Sequence, residues 1–255
     1  MLVGETITLE YKMSPGENLR YRTVVESAQR IREEGSPDMY TRRVLEMGMR
    51  QAVKEVSGGL MTVDVIIESG EIREEGQSMQ LPTVGSVITI TMKKTGEITK
   101  SSVDFPFSQP AFPERSLKVN DSWTGQSHME IPLTDPEGNV IGKKPVTLNY
   151  HYTLAGFERV AGYECAVIKV SCPKTVIPVQ EGIEQQITAS GATYFAHREG
   201  RLIKSNVDTE TRISAPGADV KTQVKVAVEL TDAPPPASSG PSPLGGSDEQ
   251  FIIGA

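Results

Sequence analysis

The sequence predicts an all-β protein: two tandem antiparallel modules of long, strongly twisted strands, half-barrel-like curved sheets, followed by a flexible C-terminal tail. Three observations carry this. Apolar and polar residues alternate with a period of two over much of the chain, turn residues punctuate the runs at short intervals, and the pattern repeats after 104 residues.

The alternation is clearest in three places. Leu148, Tyr150, Tyr152 and Leu154 interleave with Thr147, Asn149, His151 and Thr153. Val220, Thr222, Val224, Val226, Val228 and Leu230 interleave with Lys221, Gln223, Lys225, Ala227 and Glu229, which predicts one buried and one wet face. Ile88, Ile90 and Met92 alternate with Thr89, Thr91 and Lys93. Reversals are expected at Gly35-Ser36-Pro37-Asp38, Ser57-Gly58-Gly59, Lys94-Thr95-Gly96, Asp135-Pro136-Glu137-Gly138-Asn139, Arg198-Glu199-Gly200 and Ala215-Pro216-Gly217. Short turns between runs imply hairpins, hence antiparallel pairing.

One segment is locally ambiguous. Leu45, Met49, Ala52, Val53 and Val56 fit a helical face, with Gly58-Gly59 as its end, yet Leu45, Met47, Met49 and Val53 also share one face of a strand. The repeat decides it. A shift of 104 residues places Gly96-Glu97-Ile98-Thr99-Lys100-Ser101-Ser102-Val103-Asp104 on Gly200-Arg201-Leu202-Ile203-Lys204-Ser205-Asn206-Val207-Asp208, and Gly16-Glu17-Asn18-Leu19 on Asn120-Asp121-Ser122-Trp123. It also pairs Gly58 with Gly162 and sets 39–56 against the alternating run at Thr147 to Glu158, so 39–56 is expected to be a strand. The modules are residues 5–108 and 109–231, packed together or sharing one sheet. Residues 232–255 form a Pro/Gly/Ser-rich tail that cannot build a core and ends in the apolar Phe251-Ile252-Ile253. The runner-up architecture is a pair of β-sandwiches.

Composition narrows the function classes. The formal charge is −7 and basic residues are scattered among acidic ones, so no nucleic-acid partner is expected. No apolar run reaches the roughly 20 residues of a membrane span. The start, Met1-Leu2-Val3-Gly4-Glu5-Thr6, lacks the features of a signal peptide. A complete chain is then expected in the cytoplasm, and one whose leader has been removed in a bacterial envelope.

Chemistry-bearing motifs are few. There is no phosphate loop, dinucleotide fingerprint or nucleophile elbow. His128, His151 and His197 are not spaced as metal ligands, and His151 sits on the polar face of its strand. Glu71, Glu74 and Glu75, beside Arg73, read as a solvated charge run in the loop after the third strand. Cys165 and Cys172, seven residues apart, point to opposite faces of an extended run and lie roughly 23 Å apart, so two free thiols, one of them buried, are expected. In the repeated Lys-Ser-x-Val-Asp block, Lys100 and Asp104, and Lys204 and Asp208, share one face, while Val103 and Val207 take the other, a pattern that fixes strand register. No enzyme, catalytic residue, metal or cofactor is expected, and ligand-binding residues are not assigned.

The stretch Val146 to Cys172, with Tyr150, Tyr152, Gly156-Phe157-Glu158, Gly162, Cys165 and Ile168, resembles uncharacterised bacterial proteins with long antiparallel strands. The repeated Gly-x-Leu/Ile-x-Lys-Ser hairpin is similar to strand pairs of Lol-type lipoprotein-carrier and lipoprotein-receptor half-barrels. That resemblance implies curved open sheets around an apolar cavity for acyl chains, in the envelope. The chain departs from the family in having no lipobox cysteine near residue 1 and no helix to close the cavity. The expected function is a non-enzymatic binding protein holding an apolar or lipid-like ligand against a curved sheet, the apolar face of Met61, Val63, Val65 and Ile67 being one such surface. The alternative is a structural or assembly module acting through sheet edges or the tail.

Overall fold

The computed structural model describes residues 6–102, 110–134 and 140–232. Its named elements are twelve strands: β1 (Asn18–Glu33), β2 (Met39–Ser57), β3 (Leu60–Glu74), β4 (Gln77–Gln80), β5 (Val87–Lys93), β6 (Ile98–Ser101), β7 (Ser122–Thr134), β8 (Val140–Val160), β9 (Tyr163–Gln180), β10 (Ile183–Ala196), β11 (Arg201–Ala215) and β12 (Ala218–Asp232). All belong to one open antiparallel sheet of order β6-β5-β3-β2-β1-β12-β11-β10-β9-β8-β7, with β4 and β5 paired end to end along β3. The sandwich alternative is therefore excluded, and the halves share one sheet.

The order is that of an up-and-down meander cut at one seam. Successive strands pair, except that β4 and β5 both pair with β3, and that β6 and β7 part to become the two edges while β1 pairs with β12 from Arg20↔Asp232 to Glu33↔Ala218. Outside the named strands, an isolated antiparallel pair, Ile7↔Leu117, joins the segment before β1 to the segment before β7.

The 39–56 segment is strand β2. Met47, Met49 and Val53 turn inward; Ala52 lies on the other face, opposite Asp64, and the exposed Val56 returns to the inward side, opposite Met61. A bulge at Val53/Glu55 interrupts the alternation. The acidic cluster requires a correction. Glu71 and Glu74 lie in β3, paired with Gln80 and Gln77 of β4, and the reversal is the tight turn at Glu75-Gly76. Glu71 lies on the wet face of that hairpin with Arg73 at 2.9 Å, while Glu74 lies on the other face against Arg43. The predicted turn at Asp135 to Asn139, and Val103, Asp104 and Phe251 to Ile253, lie outside the described residues.

Local geometry recurs between the halves. Gly16 and Asn120 both have positive φ, and each donates its N–H to a bulge-side carbonyl, Val53 O and Leu154 O respectively. Gly96 and Gly200, which open the repeated block, also share a positive φ (88° and 66°). The β2–β3 and β8–β9 turns match at Gly58/Ala161 and Gly59/Gly162, one residue off the 104-residue shift. Second-half strands are also longer in places, which a fixed shift cannot absorb.

The sheet's two faces differ sharply. Residues directly opposite each other across an antiparallel pair share a face. On the outer one, Arg20 and Arg50 both reach Glu68 (2.9 and 2.6 Å), Arg22 meets Glu46 (2.7 Å), Lys54 meets Asp64 (3.0 Å), and Lys204 meets Glu229 (2.6 Å). Such exposed pairs contribute about 0–1 kcal/mol each, so their larger effect is on strand register. Their geometry still marks the carboxyls: Arg22 donating to Glu46, and Arg20 and Arg50 donating to Glu68, hold both below the usual carboxylate range.

The inner face holds the main core. Met61, Val63 and Val65 of β3, Ile90 and Met92 of β5, Ile168 of β9 and Phe195 of β10 belong to one packed cluster. In a flat sheet β3 and β9 would lie about 30 Å apart. They share a core because the sheet curls and because two connecting segments fill the space between its walls. Ile7, Leu9, Tyr11 and Met13 come from before β1, and Phe112 and Leu117 from between β6 and β7. Tyr11, Phe112 and Phe195 interlock, with ring centroids 5.4, 5.0 and 4.7 Å apart. This plug closes one end of the curved sheet. A half-buried ion pair, Arg201–Glu17 at 2.9 Å, ties the β10–β11 hairpin to the loop before β1 beside it.

Candidate functional site

Beyond the plug the inner face continues along the long central strands as an open trough. Cross-strand pairing builds its floor in rows. Nearest the plug, Thr193 faces Ser205, Ser205 faces Val228, Val228 faces Thr23 and Thr23 faces Met47. The next row is Gly191, Val207, Val226, Val25 and Leu45. Further towards the rim come Ala189, Thr209, Val224 and Ser27. Val25, Leu45, Val224 and Val226 are half-buried and belong to none of the packed clusters. β-Branched residues dominate this floor because most inward positions of β11 and β12, from Val207 to Ile213 and from Val220 to Val228, are Val, Ile or Thr, the residue types that pack best on a pleated surface.

The second-half wall is made differently. Val146, Leu148, Cys172, Ile177, Ile187 and Ala189 pack on one another, with Tyr150 and Val207 against them. Tyr152 stands at the junction of wall and plug, stacked on Trp123 at 5.5 Å, whose indole N–H donates to Ala111 O at 3.0 Å. Burial pushes the Tyr152 phenol up to about 12 and raises Tyr150 as well. Burial also pushes the Tyr11 phenol well above its ordinary range, with Tyr21 and Tyr152 close enough to add to the effect. These tyrosines are neutral hydrogen-bonding groups across the working pH range, not bases.

Two depressions lie away from the trough. One of about 290 Å³ sits on the outer face around Gly48, between Arg20, Arg22, Glu46 and Glu68. The other, about 390 Å³, lies beside the plug among Leu9, Leu60, Lys94 and Pro113. Neither is a lipid-sized chamber; the concave face is open, not sealed.

The residues singled out in the sequence are dispersed. His151 is exposed on the outer face of β8, and His197 is buried with its ring edge-on to Phe157 at 5.4 Å. The side chain of His128 lies outside the described residues. Among the described residues no group of three or more His, Cys, Asp or Glu side chains could hold a metal ion. Lys204 pairs with Glu229 on the outer face, while Val207 turns inward. The face of Met61, Val63 and Val65 is covered by the plug and therefore serves as core rather than as a ligand surface.

Sequence reasoning missed the plug itself. Ile7, Leu9, Tyr11 and Met13 alternate with Thr8, Glu10 and Lys12, a signal as clean as that of any strand. It was hidden because the segment hydrogen-bonds to hairpin ends, Tyr11 N–H to Lys94 O and Lys12 N–H to Gly200 O, and not to a neighbouring strand.

Both cysteines are free, and both are buried, where one exposed thiol was expected. Cys165 packs with Tyr163, Ala196 and Ile203, and burial pushes its thiol up to about 11; Cys172 is raised for the same reason. Thiolate is the reactive form, so neither cysteine is expected to react with Ellman's reagent at pH 8 within minutes in the folded protein, and both should react at once in denaturant. Rapid labelling of the native protein would show that the wall opens.

Among the described residues no helix is long and apolar enough to cross a membrane. No family model matches the chain, and no curated protein matches it. Several solved structures do. The structure of lipid–protein interactions in lipovitellin is 12% identical over 89% of this chain, with a TM-score of 0.45, and this chain spans only about a quarter (26%) of that one. DynF, from the dynemicin biosynthesis pathway of Micromonospora chersina, is 8% identical over 90% of this chain and 87% of its own, with a TM-score of 0.24. A LolA superfamily protein from Nitrosomonas europaea is 14% identical over 87% of this chain and 89% of its own, with a TM-score of 0.15. At these scores the likenesses carry no argument about function; the chain is similar at low identity to proteins that include the Lol type read from its sequence.

Proposed function

We propose that this chain is a non-enzymatic binding protein that holds an apolar or lipid-like ligand in the trough of its curved sheet. The two halves, 5–108 and 109–231, act in this proposal as copies of one module sharing that sheet. The observation that carries it is the half-buried Val25, Leu45, Val224 and Val226, an apolar floor with no packed cluster over it, bounded by a plug at one end. Covering a floor of this kind gains about 25 cal/mol per Å² of apolar surface removed from water. Open apolar surfaces of this sort are typical of ligand grooves.

Native purification followed by organic extraction and mass spectrometry tests this, with a stoichiometric apolar compound as the expected result and a clean extract against it. A variant gives an independent check. Val226→Glu places a carboxylate in the middle of the floor, opposite Val25 and Val207. Binding of the uncharged dye Nile red is expected to weaken by about tenfold or more, because the charge must be desolvated whenever the trough fills. Unchanged dye binding would place the ligand elsewhere.

The sheet edges favour a second reading, assembly. Among the described residues β7 pairs with β8 alone along its whole length, leaving one long edge. Sedimentation equilibrium on the full chain and on a chain ending at Thr231 tests it: a concentration-independent monomer in both removes this reading.

A further inference from the structure

The floor that β11 and β12 give the trough is uncharged. From the plug to the rim, every described residue facing inward from β11 and β12 is Val, Ile, Ser, Thr, Ala or Leu. On β1 and β2 the inward charge between the plug and Ile31 is Arg43, and it is already held by Glu74, which accepts from its guanidinium at 2.8 and 3.1 Å. The charges of these strands lie instead on the outer face. A carboxylate or phosphate lying on the floor of β1, β2, β11 and β12 finds no counter-charge there that is not already paired, and its desolvation goes uncompensated.

The closed end is different in kind. Tyr11 is 2% exposed and Thr23 fully buried, and neither hydroxyl has a hydrogen-bond partner. Both belong to the inner side of the plugged end: Thr23 lies two residues along β1 from Tyr21, and the Tyr11 ring sits between Phe112 and Phe195. The neighbouring Thr193 and Ser205 hydroxyls satisfy each other at 3.0 Å. Buried hydroxyls are nearly always paired, so two orphans at the head of an apolar trough mark a place where a polar atom from outside the protein completes the site.

Resting on the binding role above, we propose that the ligand is an uncharged amphiphile, a long-chain alcohol or ester. Its chain lies along the valine floor and its hydroxyl or carbonyl reaches the closed end, where the Tyr11 and Thr23 hydroxyls each lack a protein partner. A Tyr hydroxyl donates to a carbonyl and both donates to and accepts from an alcohol, so either head group suits the pair.

The test is displacement of Nile red from the full-length protein by dodecanol and by sodium dodecanoate at pH 8. The chains are equal in length and differ in head-group charge. Dodecanol is expected to displace the dye at about tenfold lower concentration, the factor set by an uncompensated charge of modest depth. In Tyr11→Phe that advantage, read as the ratio of the two displacing concentrations, should shrink by about fivefold, the effect of one lost hydrogen bond. Thr23→Val, nearly isosteric, should act in the same direction while melting no lower than the parent, because its hydroxyl has no protein partner to lose. Equal or better displacement by dodecanoate, or dye binding that neither compound disturbs, overturns the neutral ligand and leaves the binding role standing. No dye binding at all overturns the binding role itself.

Discussion

Gly200→Ala is expected to destabilise the fold by about 2–5 kcal/mol, read from urea unfolding, through strain in the left-handed region and a clash with the plug. Gly200 has φ +66°, and a Cβ there falls well inside contact distance of the Lys12 backbone nitrogen, whose N–H donates to Gly200 O at 2.9 Å. The neighbour is main chain and cannot swing aside. Gly96, 104 residues earlier, is its counterpart: φ is +88°, and a Cβ would lie 2.5 Å from the Tyr11 ring and 2.6 Å from Pro110 O. These two glycines are therefore where the connecting segments cross the hairpin ends. Gly35→Ala is the control, since φ is +80° but nothing lies within 4 Å, and its cost should stay near the conformational part alone, about 1–2 kcal/mol. Equal losses at Gly35 and Gly200 would mean that the plug does not press on the hairpin.

Phe195→Ala is expected to remove about 3–5 kcal/mol, a large share of the stability of a typical domain. Phe195 is fully buried, and its ring packs edge-on against both Tyr11 and Phe112, so truncation leaves a void at the junction of plug, β10 and the second-half wall. Met39→Ala, at the 52% exposed start of β2, should change stability by less than about 0.5 kcal/mol. The same Phe195 variant should bind Nile red with altered affinity, because the void opens onto the head of the trough. A loss no greater than that of Met39→Ala would show that the aromatic interlock is not what holds the two walls together.

Both expectations concern contacts between segments far apart in sequence, and that is where legibility ended. The alternation in β8, β12 and β5 identified strands and their inward residues correctly. The 104-residue shift was enough to overrule a helix-like pattern in β2, because a strand's register is a property of a repeated local pattern. The glycines at 96 and 200 were visible as a repeated pair, but not their reason, since nothing local shows Lys12 or Tyr11 pressing against them. The acidic run at Glu71 to Glu75 was misplaced because Glu75-Gly76 is a two-residue turn whose β4 partner strand is too short and polar to signal itself.

By itself the sequence determined an antiparallel β protein, the hairpin turns and the segregation of charge to one face of β12. Period-two chemistry acts between neighbouring residues and neighbouring strands, so it is written in the chain order. Only the tertiary structure decided that the halves join through β1 and β12 into one sheet, that the seam opens at β6 and β7, and which apolar face is core and which is trough. Met61, Val63 and Val65 look no different in sequence from Val224 and Val226. The first set is covered because Leu9, Tyr11 and Phe112 reach it when the sheet curls, and the second stays half-buried because no described segment does.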